Sequence, residues 1–125
     1  MGVTTSRFPK SSRLLHSAEF QRVFQNTNYK ISHRYLLILA CRNSFDHPRL
    51  GLVVGKKHCR LAVQRNRIKR RARETFRHQQ HHLHNIDAIV LPRSGADQLS
   101  DQQLTQLFEQ QWRRLSERCR QLEQT

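Results

Sequence analysis

Apolar positions along this chain change their period several times, and each change marks an element. Phe20, Val23 and Phe24 recur at i, i+3 and i+4, the spacing of one helix face. Ser17 stands where an N-cap is expected, and Glu19 in the first turn suits the positive end of the helix dipole. Residues 26–33 read as loop. Tyr35 to Arg42 (YLLILACR) is apolar on both strand faces, which predicts a strand inside a sheet. The turn formers of NSFDHP lead to a second strand over Leu50 to Val54, and the two are expected to pair as a hairpin with a long loop. Gly55-Lys56-Lys57 ends that strand. A helix free of Gly and Pro is predicted from Leu61 to His82, and a third strand from Ala88 to Leu91, stopped by Pro92.

After the Ser94-Gly95 turn, Ser100 and Gln103 form a capping box. The helix it opens carries Leu104, Leu107, Phe108, Gln111, Leu115, Cys119 and Leu122 on or near one face, with Trp112 in or beside the core. The predicted order is α-β-β-α-β-α, a two-layer α/β (α+β) sandwich with helices on a sheet. Residues 1–16 are polar and basic and are expected to form a flexible arm ahead of a single domain over 17–123.

The length of 125 residues suits one domain. A hydrophobic fraction of 36% makes its core small. The longest uncharged apolar run, Tyr35 to Cys41, is too short to span a bilayer, and no secretory signal is expected. Three cysteines, odd in number and without a C-x-x-C pair, argue for reduced thiols and a cytoplasmic location. Twenty-three Lys and Arg against nine Asp and Glu give a formal charge of +14. Such a balance favours polyanionic partners through counterion release, so nucleic acid and anionic membrane surfaces are the two candidates.

The distribution of that charge separates them. Residues 47–73 hold ten Lys or Arg and no acid. Within this stretch RNRIKRRAR (65–73) has six cations in nine positions. On a helix, Leu61, Ile68, Ala72 and Phe76 fall within an arc of about 80°, enough to dock on a sheet. Asn66, Lys69, Arg70, Arg73 and Arg77 occupy the adjoining polar sector, Arg67 and Arg71 flank its far side, and Arg65 must snorkel out beside the apolar arc. A solvated face ordinarily mixes both signs, whereas cations at i, i+3 and i+4 repel one another by a few tenths of a kcal/mol per pair. A polyanion relieves that repulsion, and arginine adds phosphate forks. Insertion into a membrane surface would need more bulky apolar residues than this helix can spare from the core.

With VVGKK upstream, A-x-x-R-N-R-I-K-R from Ala62 to Arg70 closely resembles the signature of the bacterial ribonuclease P protein component. The resemblance extends over F-x-x-V-F (Phe20 to Phe24), HPRLGLVVGKK, DAIVLPRSGAD and QWRRL, about 100 residues in all. It implies the protein subunit of a ribonucleoprotein that removes the 5′ leader of precursor tRNA. Catalysis would then lie with the RNA subunit and its Mg²⁺ ions. The partners implied are the catalytic RNA and precursor tRNA, with no membrane and no obligatory protein partner.

The catalytic RNA would be bound by Lys56, Lys57, Arg65, Asn66, Arg67, Lys69, Arg70 and Arg73, and the leader by Phe20, Phe24, Ile38 and Arg93 in a cleft between the first helix and the sheet. Ile38 stands where many relatives carry an aromatic, and Leu91-Pro92-Arg93 where they often carry Ala-Lys-Lys, so Arg93 is the basic contact left there. The family fold also implies a left-handed β-α-β crossover, against the usual hand. The residues alone agree with this division: Phe20 and Phe24 beside a basic rim suit a single strand, although packing of a short helix would also use them.

Other chemistries are poorly supported. His78, His81, His82 and His84 cluster after the basic helix, but no nearby Cys or carboxylate completes a ligand set, and no metal site is assigned. The scattered acids lack a D-x-D or E-x-K pattern, so no catalytic residue is assigned to the protein, and Asp97 and Asp101 read as turn and capping residues. Cys59 lies among Lys57, His58 and Arg60, which would lower its pKa. The rival reading is a small structural or ribosomal RNA-binding protein with the same basic helix and no leader cleft.

Overall fold

The computed structural model describes residues 9–123. Three helices and one four-stranded sheet follow the order α1 (Ser17–Gln25), β1 (Tyr29–Ser32), β2 (Leu36–Arg42), β3 (Arg49–Leu52), α2 (Ala62–Gln79), β4 (Ile86–Pro92) and α3 (Asp101–Glu123). The expected α/β sandwich is present, with one strand more than the sequence pattern predicted. β1 falls in the stretch read as loop. Its Tyr29 and Ile31 are buried while Lys30 and Ser32 face out, but four residues flanked by Asn and Thr are too few for alternation to show.

Spatially the strands run β1-β2-β4-β3. β2 and β3 are therefore not the hairpin expected from their closeness in sequence. β4 lies between them, antiparallel to β2 and parallel to β3. Placed at the centre, β4 takes hydrogen bonds on both edges, and its burial on both faces explains its nearly continuous apolar run. The β3-α2-β4 unit joins neighbouring parallel strands through the basic helix, as a crossover must.

Strand alternation divides the sheet into two faces. Leu36, Ile38 and Ala40 of β2 and Ile86, Ala88 and Val90 of β4 meet α2 and α3 in the main core. There Trp112 donates from Nε1 to Thr75 Oγ1 (2.8 Å) and meets Phe76 edge-on at 5.3 Å between centroids, so one buried indole joins α2 to α3. The capping box of α3 forms as expected, with Ser100 N–H on Gln103 Oε1 (2.9 Å) and Gln103 N–H on Ser100 Oγ (3.1 Å).

α1 covers part of the other face, where Val23 packs with Leu14, Cys41 and Ile89. Its N-cap is His16, one residue before the position expected. Glu19 secures that end by accepting the Leu15 and His16 N–H groups (2.8 and 3.0 Å), which would otherwise lack partners.

The boundary expected at residue 16 lies too far along the chain. Lys10–Ser12 forms a 3-10 turn, Leu14 is buried, and its N–H donates to Leu50 O (2.9 Å) beside β3. Residues 9–16 thus belong to the domain, and the rest of the expected arm, 1–8, lies outside the described residues. No helix among the described residues is long and apolar enough to cross a membrane.

Candidate nucleic-acid interface

The arginines of α2 divide into two groups with different work. Arg65 turns back on its own loop, donating to Cys59 O and Arg60 O (3.0 and 2.8 Å). Arg67 is held within the fold by four hydrogen bonds: it donates to Gln64 Oε1, Leu99 O, Asp101 Oδ1 and Asp97 O at 2.8 to 3.1 Å. Arg71 joins it on Asp101 (3.3 Å) and also pairs with Glu74 (3.5 Å). These guanidinium groups clamp the start of α3 onto α2, and they hold the Asp101 carboxyl below its ordinary pKa. Asp101, read from sequence as a capping residue, is the acid of this clamp. Arg65 and Arg67 were expected to bind RNA; Arg65 engages the fold through Nη1 and Arg67 through all three of its nitrogens, so both serve the fold, and Arg67 most of all.

The remaining cations form the open face. Asn66 and Arg70 are exposed, Lys69 and Arg73 half-buried, and Lys56, Lys57 and Arg60 project from the loop before α2. Among the described residues none of these cations has an acidic partner, whereas Arg67 and Arg71 do. Lys69 and Arg73 line a cavity of about 150 Å³ whose apolar side is Leu14, Phe20, Leu50 and Leu52, with Arg13 at its rim. Burial and the Arg13 charge lower the Arg73 pKa from its ordinary value. Neighbouring cations such as these repel one another, an arrangement that an anion relieves.

Phe20 reaches this cavity because Gly51 lets it. A methyl group at Gly51 would come within 2.6 Å of the Phe20 ring and 3.0 Å of Leu14 Cδ1. The ring, through Cε1 and Cζ, therefore packs directly on β3 at Gly51. Phe24, on the same side of α1, is 46% exposed. Beyond α1 the sheet face continues through the half-buried Leu37, Leu39 and Leu91 to the exposed Val53, with Lys30 and Ser32 on β1. This uncovered apolar strip between α1 and the end of β4 is the cleft.

Ile38 is not part of it. It is 0% exposed and belongs to the core beneath α2 and α3. Alternation places Leu37 and Leu39 on the cleft face instead, since a shift of one residue along a strand changes its side. Arg93 lies at the far end of β4, where its Nη1 holds the β1–β2 turn through Ser32 Oγ (3.0 Å) and His33 O (2.8 Å). It marks the end of the cleft while also fixing the turn.

Sequence reasoning missed the network that seats α1. Arg49 grips the buried Asp87 with two nitrogens and Glu19 with a third, and Arg22 reaches Asp87 at 3.3 Å. Arg49 stood out in the sequence only as one cation among ten, and Asp87 as an acid beside a strand. Cys59 also departs from expectation. Its thiol is buried, and burial raises its pKa rather than lowering it. No three His, Cys, Asp or Glu side chains group as they would around a metal ion among the described residues.

Comparison with known proteins agrees with this geometry. The family model described as Ribonuclease P matches residues 8–116. The chain is 46% identical over 108 residues to the ribonuclease P protein component of Pseudomonas aeruginosa, covering 86% of this chain and 80% of the relative. It is 48% identical over 114 residues to that of Marinobacter nauticus, covering 91% and 86%. The RNase P protein of Staphylococcus aureus superposes with a TM-score of 0.76 at 33% identity, covering 83% of this chain and 94% of the other. That of Thermotoga maritima superposes at 0.64 with 27% identity, covering 78% and 96%. A match over most of the chain, together with the same sheet and crossover, establishes that this chain belongs to the ribonuclease P protein family.

Proposed function

We propose that this ribonuclease P protein subunit binds the catalytic RNA with the open face of α2 and its preceding loop, and the precursor-tRNA leader along the strip beside α1. Asn66, Lys69, Arg70 and Arg73, with Lys56 and Lys57, contact phosphates of the structured RNA. Phe20 and Phe24 offer flat surfaces that accept any unpaired base. Leu37 and Leu39 form the apolar floor, and Arg93 meets the far end of the strand. One observation carries the assignment: the acid-free cations of α2 share a cavity with Phe20, so the two surfaces meet at the edge of β3.

Mg²⁺ held by the RNA supplies metal-activated water for phosphodiester cleavage in this reading. Asp87, Glu19 and Asp101 do not suit that ion, because they are committed to arginines. The protein's part is to neutralise phosphates and to hold the leader in place, and it works in the cytoplasm. Reconstitution tests this. The protein alone leaves precursor tRNA intact, and with the catalytic RNA it permits cleavage at lower Mg²⁺ and tightens binding of substrate carrying a leader. An unchanged Mg²⁺ requirement together with unchanged leader affinity would overturn the proposal and favour a structural RNA-binding protein.

A further inference from the structure

A second groove lies at the opposite edge of the sheet, where α3 passes the β1–β2 turn. Its volume is about 420 Å³, inside the range of roughly 300–1,000 Å³ usual for small-ligand pockets. The walls are His33 and Tyr35 on one side and Gln103, Gln106, Gln110 and Arg113 on the other, over a floor that includes Leu99 and Leu107. None of these lining residues is acidic.

The surroundings are strongly basic. Arg34 lies over the Tyr35 ring at 5.1 Å. Arg93 and Arg114 each use Nη1 to hold the turn, Arg93 on Ser32 Oγ and His33 O, and Arg114 on Ser32 O (3.2 Å) while also donating to Gln111 Oε1 (2.6 Å) on its own helix. A guanidinium carries five donors, so both retain others for a ligand. Tyr35 is a fixed wall, because Gly95, in the left-handed region at φ 99°, leaves no room for a side chain against that ring. His33 Nδ1 accepts the Tyr35 N–H (3.1 Å), which leaves Nε2 as the ring's donor. Burial, then Arg114, Arg34 and Arg93, hold its pKa below the ordinary value.

We infer that this groove is a second RNA site, which takes one unpaired nucleotide with its base over Leu99 and Leu107 and its phosphate toward Arg34 and Arg113. Charge complementarity selects the anion. The three glutamines, at i, i+3 and i+7 along α3, select the base: the Gln106 amide both donates and accepts as a base edge requires, while Gln103 and Gln110, whose oxygens accept from Ser100 N–H and Gln111, offer their amide N–H groups. The groove is distinct from the cavity shared by α2 and Phe20: α3 packs beside β1, whereas that cavity lies at β3, and Arg93, at the end of the leader strip, stands between the two. Its occupant is another unpaired segment of RNA.

The test follows NMR signals of the full chain titrated with a short single-stranded RNA of mixed sequence. Occupancy raises the His33 pKa, because a phosphate offsets the surrounding guanidinium charge, and shifts the Gln106 and Gln110 side-chain amides. Arg113→Gln weakens these local responses about tenfold and leaves the responses of Lys69 and Arg70 unchanged. Gln106→Leu removes the dependence on base identity without disturbing the fold. RNA that saturates the α2 signals with no response at His33, Gln106 or Gln110 would overturn the inference while leaving the α2 assignment intact. An equal response to inorganic phosphate would reduce the groove to an anion site. An equal response to duplex RNA or to a free mononucleotide would also exclude an unpaired nucleotide within a chain.

Discussion

Arg49 and Asp87 face one another across neighbouring parallel strands and form a two-pronged ion pair, Nε to Oδ1 at 2.8 Å and Nη2 to Oδ2 at 2.7 Å. They are directly paired in the β3–β4 register, so the sheet itself aligns the fork. Asn43 adds a donor to Oδ1 (2.8 Å), Phe45 lies over the guanidinium at 4.2 Å, and Glu19 binds its third nitrogen. The chain from Asp87 through Arg49 to Glu19 therefore fixes α1 on the sheet and, with it, the position of Phe20.

Removing either partner leaves a buried charge without compensation. Asp87→Asn and Arg49→Met should each cost about 3–5 kcal/mol, read as a lower urea midpoint with an unchanged slope. The double variant Arg49→Met/Asp87→Leu should recover a large share of that loss. Equal losses in all three would show that the pair acts only through its packing.

Arg67 and Arg70, three residues apart in the same motif, should behave oppositely. Arg67→Ala breaks the clamp on Asp101 and on the carbonyls of Asp97 and Leu99, and should lower stability by about 1–3 kcal/mol. Arg70→Ala should leave stability within about 0.5 kcal/mol and reduce the salt dependence of binding to the catalytic RNA by about one counterion. Thermal unfolding and binding at several salt concentrations separate the two. A full counterion lost in a stable Arg67→Ala protein would return Arg67 to the interface.

That contrast shows where the sequence was informative and where it stopped. Hydrophobic period placed α1, α2, α3, β2 and β4 within a few residues, because each buries a regular stripe. It could not place β1, which is too short, nor the insertion of β4 between β2 and β3, which depends on pairing between distant segments. Charge located the acid-free cationic face on α2. It could not tell Arg67 from Arg70, because the partners of Arg67 lie some thirty residues away on a turn and a helix start. The leader assignment erred at Ile38 for a similar reason: both sides of β2 are apolar, so composition does not say which side is covered.

The cleft itself is tested by setting Ile38, beneath the sheet, against the phenylalanines of α1. Ile38→Ala should destabilise by about 2–5 kcal/mol and leave the leader affinity of the folded protein unchanged. Phe20→Ala and Phe24→Ala should each weaken binding of substrate with a leader by about 1–3 kcal/mol, with less effect on mature tRNA. Gly51→Ala should resemble Phe20→Ala, since the added methyl displaces the ring. Binding of precursor and mature tRNA to each reconstituted holoenzyme is the measurement. A leader defect in folded Ile38→Ala, or none in the Phe variants, would move the strand elsewhere.

His47 makes the docking of the N-terminal segment depend on pH. Its Nε2 meets Ser11 O (2.6 Å) and its Nδ1 meets Asp46 Oδ1 (2.9 Å), so both nitrogens carry protons only in the imidazolium. The Asp46 and Ser11 bonds raise the His47 pKa above 6.5, and the same pair lowers that of Asp46 below 3.8. The raised histidine pKa gives a contribution that is complete below about 6.5 and fades as pH rises through the folded value. The lowered Asp46 pKa gives one that is present above its ordinary value and fades as pH falls through the folded one. Docking should therefore be tightest in mildly acidic solution and loosen toward alkaline pH, though only partly, because neutral imidazole can still donate from Nε2 to Ser11. Hydrogen exchange of the Leu14 amide, corrected for its intrinsic pH dependence, should show protection falling above neutral pH. Asp46→Asn should flatten that fall, and His47→Phe should abolish it while lowering protection at every pH; a fall that persisted in His47→Phe would assign the pH dependence to another group.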